Sequence, residues 1–405
     1  MMKRALSITY FLIGFSYTFL LYNKIAFGFA LLLGLVPLFL LKKKNLNFKF
    51  KFKFENKNVD LFFFITIIFF LISSYFSIKP ERSILVVLYF IVFIIISLNL
   101  FFLLIKDDES YKKILNCFII STLINIVIIF FYDVYQSGIL TGDFHQGAEI
   151  RRYKGVLNII SILIILLFFF KKSKFFFIPV LFLLPSLYLS NSNAPILGFL
   201  VGILLIIIFR ISQKFYVNKA KILGITIFLS IFAVFFAKQL PQEFDINSVK
   251  KQNFTIPISI LDAHRQFIWG FSLSKFIQKP FLGYGPDTSN FIEDGQKVIG
   301  SEHTGTMKFI PSHPHNFFIE LLLETGLLGT FSFIIFIILL NYRIFIKANY
   351  LDKNFLIFFN GYYWGASLVN FSYWQAWWQG SYFLILCLIA SKIIRISESN
   401  SKVNS

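Results

Sequence analysis

Three of the five histidines, His303, His313 and His315, fall in the last third of the stretch 238–329, which joins the long hydrophilic segment of an otherwise apolar chain to the apolar helix that follows. His264 and Arg265 lie upstream in the same stretch. It closes on His313-Pro314-His315-Asn316, then nine residues, then Gly326-Leu327-Leu328-Gly329. A neutral imidazole can take a proton from an attacking hydroxyl, and a guanidinium offers a fixed fork of donors to phosphate oxygens. That pair of groups suits transfer chemistry on an anionic substrate. The chain shows no Gly-rich phosphate loop, no paired cysteines and no Gly-x-Ser-x-Gly elbow to support another chemistry. His313 and His315 stand two apart across a proline without acidic or cysteine partners, so no metal site and no cofactor is expected.

The elements that would hold these groups are legible around them. Asp262 is a candidate N-cap, and from there Phe267, Ile268, Trp269, Phe271, Leu273, Phe276 and Ile277 fall mostly on one side of a helix that stops before Pro280. Gly283 and Gly285 follow in a tight turn. The pattern predicts an amphipathic helix on the membrane surface, with Arg265 in its first turn at headgroup depth. Asn316 is a candidate N-cap for the next helix. His315 then sits at the positive end of the helix dipole, which favours the neutral imidazole a general base needs. Glu320 and Glu324 follow one turn apart inside an apolar span, where ionisable groups are costly and therefore informative. Gly326 and Gly329 are read as room for a neighbouring helix.

The remainder of the chain is membrane. It is 57% hydrophobic and 15% charged, against about 25% charge in soluble proteins, and its mean hydropathy is +0.73. Apolar runs predict about twelve spans, near 5–22, 24–41, 59–78, 84–105, 114–132, 155–170, 174–190, 195–210, 220–237, 316–341, 355–372 and 378–394. The first has a basic start but no small-residue cleavage site, so it is read as a retained span. With the N-terminus inside, most of the 39 Lys and Arg residues fall on one side. The +19 charge is thus a topology signal rather than a nucleic-acid footprint. Both termini are expected in the cytoplasm and 238–315 outside. Cys117 and Cys387 each sit in an apolar run and read as buried thiols. The alternation NFKFKFKF at 47–54 reads as an interfacial inner loop.

Three smaller outer features complete the inventory. The loop 133–154 carries Arg151 and Arg152 on the side where positive charge is disfavoured, which suits either snorkelling or an anion contact. The turn 190–195 is polar and includes Asn193. The last outer turn is aromatic, with Tyr373, Trp374, Trp377 and Trp378, and reads as an interfacial belt, with sugar stacking as the alternative.

The run His315-Asn316, nine residues, Gly326-x-x-Gly329 resembles the motif of bacterial O-antigen ligases. Arg265, Trp269, Pro280, Gly283 and Gly285 resemble the loop segment of the wider O-antigen ligase and polymerase superfamily. The resemblance implies an all-α bundle of about twelve spans with one large periplasmic loop. It divides the chain into a bundle at 1–237, the loop at 238–315, C-terminal helices at 316–395 and a tail at 396–405. It also implies a metal-independent glycosyltransferase of the bacterial inner membrane, moving a glycan from undecaprenyl diphosphate to an acceptor hydroxyl. The acceptor is lipid A-core for ligases, a repeat unit for polymerases and a protein serine for related oligosaccharyltransferases. By position, His315 would be the base and Arg265 the diphosphate ligand. Asn316, His313, Trp269, Glu320, Arg151, Arg152 and Asn193 are the substrate-binding candidates. Asn193 stands, after Ser192, where the family's ligases carry an arginine; that departure weakens the ligase assignment, and Arg151 or Arg152 is the candidate source of the missing charge. A transporter of lipid-linked sugars is the reading from a different class. It is disfavoured by scarce mid-membrane charge and by the lack of evident breaks in the spans.

Overall fold

The computed structural model describes residues 2–46, 49–145, 150, 152–171, 174–214, 235–244, 254–300, 303–369 and 371–403. In chain order the α-helices are α1 Met2–Gly14, α2 Ser16–Tyr22, α3 Lys24–Leu46, α4 Lys57–Tyr75, α5 Pro80–Lys106, α6 Asp108–Gln136 and α7 Lys154–Lys171. They continue with α8 Ile178–Leu189, α9 Asn193–Lys214, α10 Ala263–Gln278, α11 Phe317–Phe345, α12 Tyr350–Ser367 and α13 Ala376–Val403. Among the described residues there is no strand, only one antiparallel bridge between Val298 and Lys308. The fold is an all-α, multi-pass membrane bundle.

Eight of these helices are long and apolar enough to cross a membrane, and nine if α1 and α2 count as one span bent by 56°. The expected twelve are therefore not all present as straight spans. The expected 174–190 forms the short α8, and 355–372 forms α12, which is less apolar because it carries Asp352, Asn354 and Asn360. Most of the expected 220–237 lies outside the described residues. At 49–56 the Phe/Lys alternation forms no strand. Instead Asn99 bonds both the N–H and the carbonyl of Lys51, at 2.8 Å each, and pins the segment to α5.

Helices pair where small residues let backbones approach. Gly198 and Gly202 on α9 face Tyr362 and Phe358 on α12, and Gly361 and Gly365 return the contact. Gly14 ends α1 against Cys117 and Phe118 of α6. Around α12 and α13 lies an aromatic core, with Tyr363 stacked on Trp378 at 4.6 Å and Phe359 on Tyr382 at 5.4 Å. Tyr373, Trp374, Trp377 and Trp378 are all buried in this core. The expected interfacial belt is thus interior packing, because the 369–376 turn folds inward onto α4, α11 and α12.

The second difference concerns α11. It breaks at Gly326, whose φ is +63°, a backbone region that side chains disfavour. The segment 280–285 fills the break. Leu327 N–H donates to the Pro280 carbonyl at 2.8 Å, while Tyr284 and Gly285 N–H donate to the carbonyls of Leu323 and Glu324 at 3.0 and 2.8 Å. A buried helix interruption must have its freed amides and carbonyls satisfied, and this loop does so. A Cβ at Gly326 would overlap the Phe281 carbonyl, and one at Gly283 would overlap the Glu324 backbone. Gly326 therefore admits a loop, not a neighbouring helix, while Gly329 packs beside Thr325 and Phe70 as expected. With α1–α2 bent and α11 interrupted, the chain does contain broken spans that the sequence did not betray.

Candidate active site

Asp262 caps α10 by accepting the Arg265 N–H at 2.9 Å, so Arg265 occupies the first turn as its spacing predicted. The apolar side of α10, including Phe267, Ile268, Trp269 and Phe271, is covered by protein. Phe244, Phe309 and Tyr284 close one side of that small core, and Leu240 and Ile319 close the other. Ile277 and Phe281 stay exposed at the end of α10.

Trp269 spends its one polar group on the histidine motif. Its indole N–H donates to the Pro314 carbonyl at 3.0 Å, between His313 and His315. On the other side Asn316 caps α11, accepting the amides of Phe318 and Ile319 at 3.1 and 3.2 Å. Held from both ends, His315 adopts φ +56°, a left-handed conformation uncommon for a non-glycine residue. Such residues persist only where the surroundings enforce them, and they gather at functional sites. The His313 and His315 rings lie 4.1 Å apart, and His313 Nδ1 is 2.9 Å from the Ser312 hydroxyl.

His313 also lines a cavity of about 430 Å³. Arg82, in the first turn of α5, lines the same cavity, as do Asp287, Asn290, Ser372 and Gln375. Arg82 is held in place: Nη2 reaches Asp287 Oδ2 at 2.7 Å, Nε donates to the same oxygen at 2.8 Å, and its guanidinium lies 5.2 Å from the Phe291 ring centre. Burial pushes the Asp287 carboxyl above its usual value, and the Arg82 charge pulls it back. Asp287 is positioned in turn by Glu324, whose buried carboxylate accepts the amides of Asp287, Thr288 and Ser289 at 2.7, 3.0 and 2.8 Å. Arg82 was missed by sequence reasoning, which singled out no residue at the start of α5.

The other expected residues fall into two groups. Arg265 pairs with Asp262 at 3.0 Å and donates to the Val369 carbonyl at 3.4 Å. Glu320 is buried, and its Oε2 accepts the Tyr373 amide at 2.7 Å. Both therefore converge on 369–376, the segment that supplies Ser372, Trp374 and Gln375 to the cavity. Arg152 and Asn193 are not brought to this cavity. Arg152 stacks on Tyr132 and Tyr153 at 5.6 and 5.4 Å, and Asn193 is exposed at the start of α9. Arg151 lies outside the described residues. No three His, Cys, Asp or Glu side chains come together as a metal site among the described residues.

The fold defines a multi-pass membrane protein, and its strained histidine motif sends His313 into a cavity that it shares with the Arg82–Asp287 pair. Comparison with known proteins points to a family. Residues 178–334 match the O-antigen ligase family, a stretch that contains Arg265, Trp269, His313, His315 and the Gly326 break but not Arg82. A Rickettsia prowazekii (strain Madrid E) protein whose name proposes a polysaccharide ligase is 28% identical over 335 residues, covering 79% of this chain and 78% of that one. A Rickettsia conorii (strain Malish 7) protein with the same form of name is 30% identical over 276 residues, covering 65% of this chain and 63% of that one. These matches support a place for the chain in the O-antigen ligase superfamily.

Proposed function

We propose that the protein transfers a glycan from undecaprenyl diphosphate to an acceptor hydroxyl on lipid A-core, at the periplasmic side of the bacterial inner membrane. The observation that carries the reading is the left-handed His315, ring against ring with His313, which itself lines a cavity together with Arg82. His315 is the general base. The acceptor hydroxyl gives its proton to the imidazole as its oxygen attacks the anomeric carbon. The bond from that carbon to the diphosphate oxygen breaks, and undecaprenyl diphosphate leaves with the electron pair.

Arg265 and Arg82 meet the charge that develops on the diphosphate. Preorganised donors at such charges are worth roughly 3–4 kcal/mol each in other enzymes, and base assistance adds about 10²–10⁴-fold. Arg82 supplies the second cation that Asn193 does not. His313, Asn316 and Trp269 position the base, and Glu320 positions the 372–375 turn. The reaction needs no metal or cofactor in this scheme. The distribution of Lys and Arg supports cytoplasmic termini and a periplasmic segment 238–315.

The test is the lipopolysaccharide gel pattern of a deletion strain, read beside its undecaprenyl-linked glycans. Long lipid-linked chains with bare core are expected. Core carrying a single repeat would overturn ligation in favour of repeat-unit polymerisation. Unchanged lipopolysaccharide would overturn lipid A-core as acceptor.

A further inference from the structure

At the end of the bundle away from the His pair lies a second cavity, of about 310 Å³. α11 runs between them: it starts beside His315, and its 29 residues span roughly 40 Å before its last turns reach this cavity. The wall is apolar, formed by Phe101, Phe102, Leu340, Ile344, Phe383 and Leu386 from α5, α11 and α13. Cys387 and Ala390 on α13 are small and leave the space. Among the described residues the charged groups lining it are Glu55, Arg343 and Lys347.

Those charges do not cancel. The Glu55 carboxylate is already paired with the Lys51 ammonium, which lies 3.8 Å from the Phe102 ring centre. Arg343 lies in the last turn of α11 and Lys347 in the turn just after it; both are exposed, and neither has an acidic partner among the described residues. Like charges brought to one cavity repel. The helix dipole and the membrane-topology preference account for cations at this end of α11. They do not account for two unpaired cations set on the rim of an apolar cavity between helices. That juxtaposition matches an anionic phospholipid, with an acyl chain on the Phe and Leu wall and its phosphate at the guanidinium and ammonium.

We infer that this groove binds an anionic phospholipid of the adjoining leaflet, which is the cytoplasmic one in the topology proposed above. The site is separate from the transfer chemistry, so its test reads lipid rather than glycan. The purified protein would be presented with phosphatidylglycerol and phosphatidylcholine of matched chains, and bound lipid counted by native mass spectrometry. Wild type is expected to prefer phosphatidylglycerol by about 30-fold, the ratio that corresponds to about 1 kcal/mol for each of two cations near a lipid surface. R343Q/K347Q should bring the two lipids to parity, and A390F, which fills the cavity, should lower the binding of both. Equal binding of both lipids by wild type, or undiminished preference in R343Q/K347Q, would overturn the assignment. Since the double variant changes exposed side chains only, it keeps the test decisive even where A390F folds poorly.

Discussion

Glu324→Gln is the substitution that interrogates the scaffold of the site most sharply. The change keeps shape and removes one acceptor. In the native chain Oε1 accepts the Thr288 and Ser289 amides and Oε2 accepts Asp287, all within 3.0 Å and all buried. With glutamine, its amide oxygen keeps two of these partners, and its NH₂ is turned toward the Asp287 N–H. A buried donor left facing a donor costs about 1–3 kcal/mol, and two bonds that change from charged to neutral lose about 1 kcal/mol each. The total is roughly 3–5 kcal/mol, part of it offset because no charge then needs burying. The loss falls on the turn that aligns Asp287 with Arg82. If a third of it reaches the reacting geometry, transfer slows about tenfold. The assay is glycan transfer by purified protein beside its thermal unfolding in the same detergent. A variant with wild-type rate and wild-type unfolding would refute the chain of support from Glu324 through Asp287 to Arg82.

Other consequences follow from the same geometry. Gly326→Ala puts a Cβ into the Phe281 carbonyl at a left-handed φ, so it should cost about 2–4 kcal/mol and lower the unfolding temperature, whereas a helix-packing role would predict a milder effect. Arg82→Gln should reduce kcat by about 10²-fold with normal membrane insertion, and Asp287→Asn should reduce it less because the guanidinium survives; parity of Arg82→Gln with wild type would remove Arg82 from the mechanism. Chelation with EDTA should leave transfer unchanged, and loss restored by a divalent cation would overturn metal independence.

Much of the site was legible because it is local. Asp262 and Asn316 announce their helices by capping chemistry, and Arg265 and His315 are placed by those caps alone. What stayed hidden depends on contacts between distant segments. Gly326 looks like a packing glycine, and Gly283 like an isolated turn, until the loop 280–285 is seen threading the break in α11. Arg82 precedes the histidines by more than half the chain, and only the fold brings its guanidinium and His313 to one cavity. The tryptophans of the last turn have the composition of a membrane belt, yet Trp374 and Trp378 are buried against Phe70 and Tyr363. Composition reports what a side chain tolerates, and both settings satisfy an indole. The count blurred at α8, which is apolar but short, and at α12, which carries Asp352, Asn354 and Asn360.

The most direct test of the account is glycan transfer by purified His315→Ala, using an undecaprenyl diphosphate-linked glycan and lipid A-core. Loss of about 10²–10⁴-fold in kcat, with donor binding and unfolding temperature retained, is the predicted result. Transfer at the wild-type rate would contradict the assignment of His315 as the base.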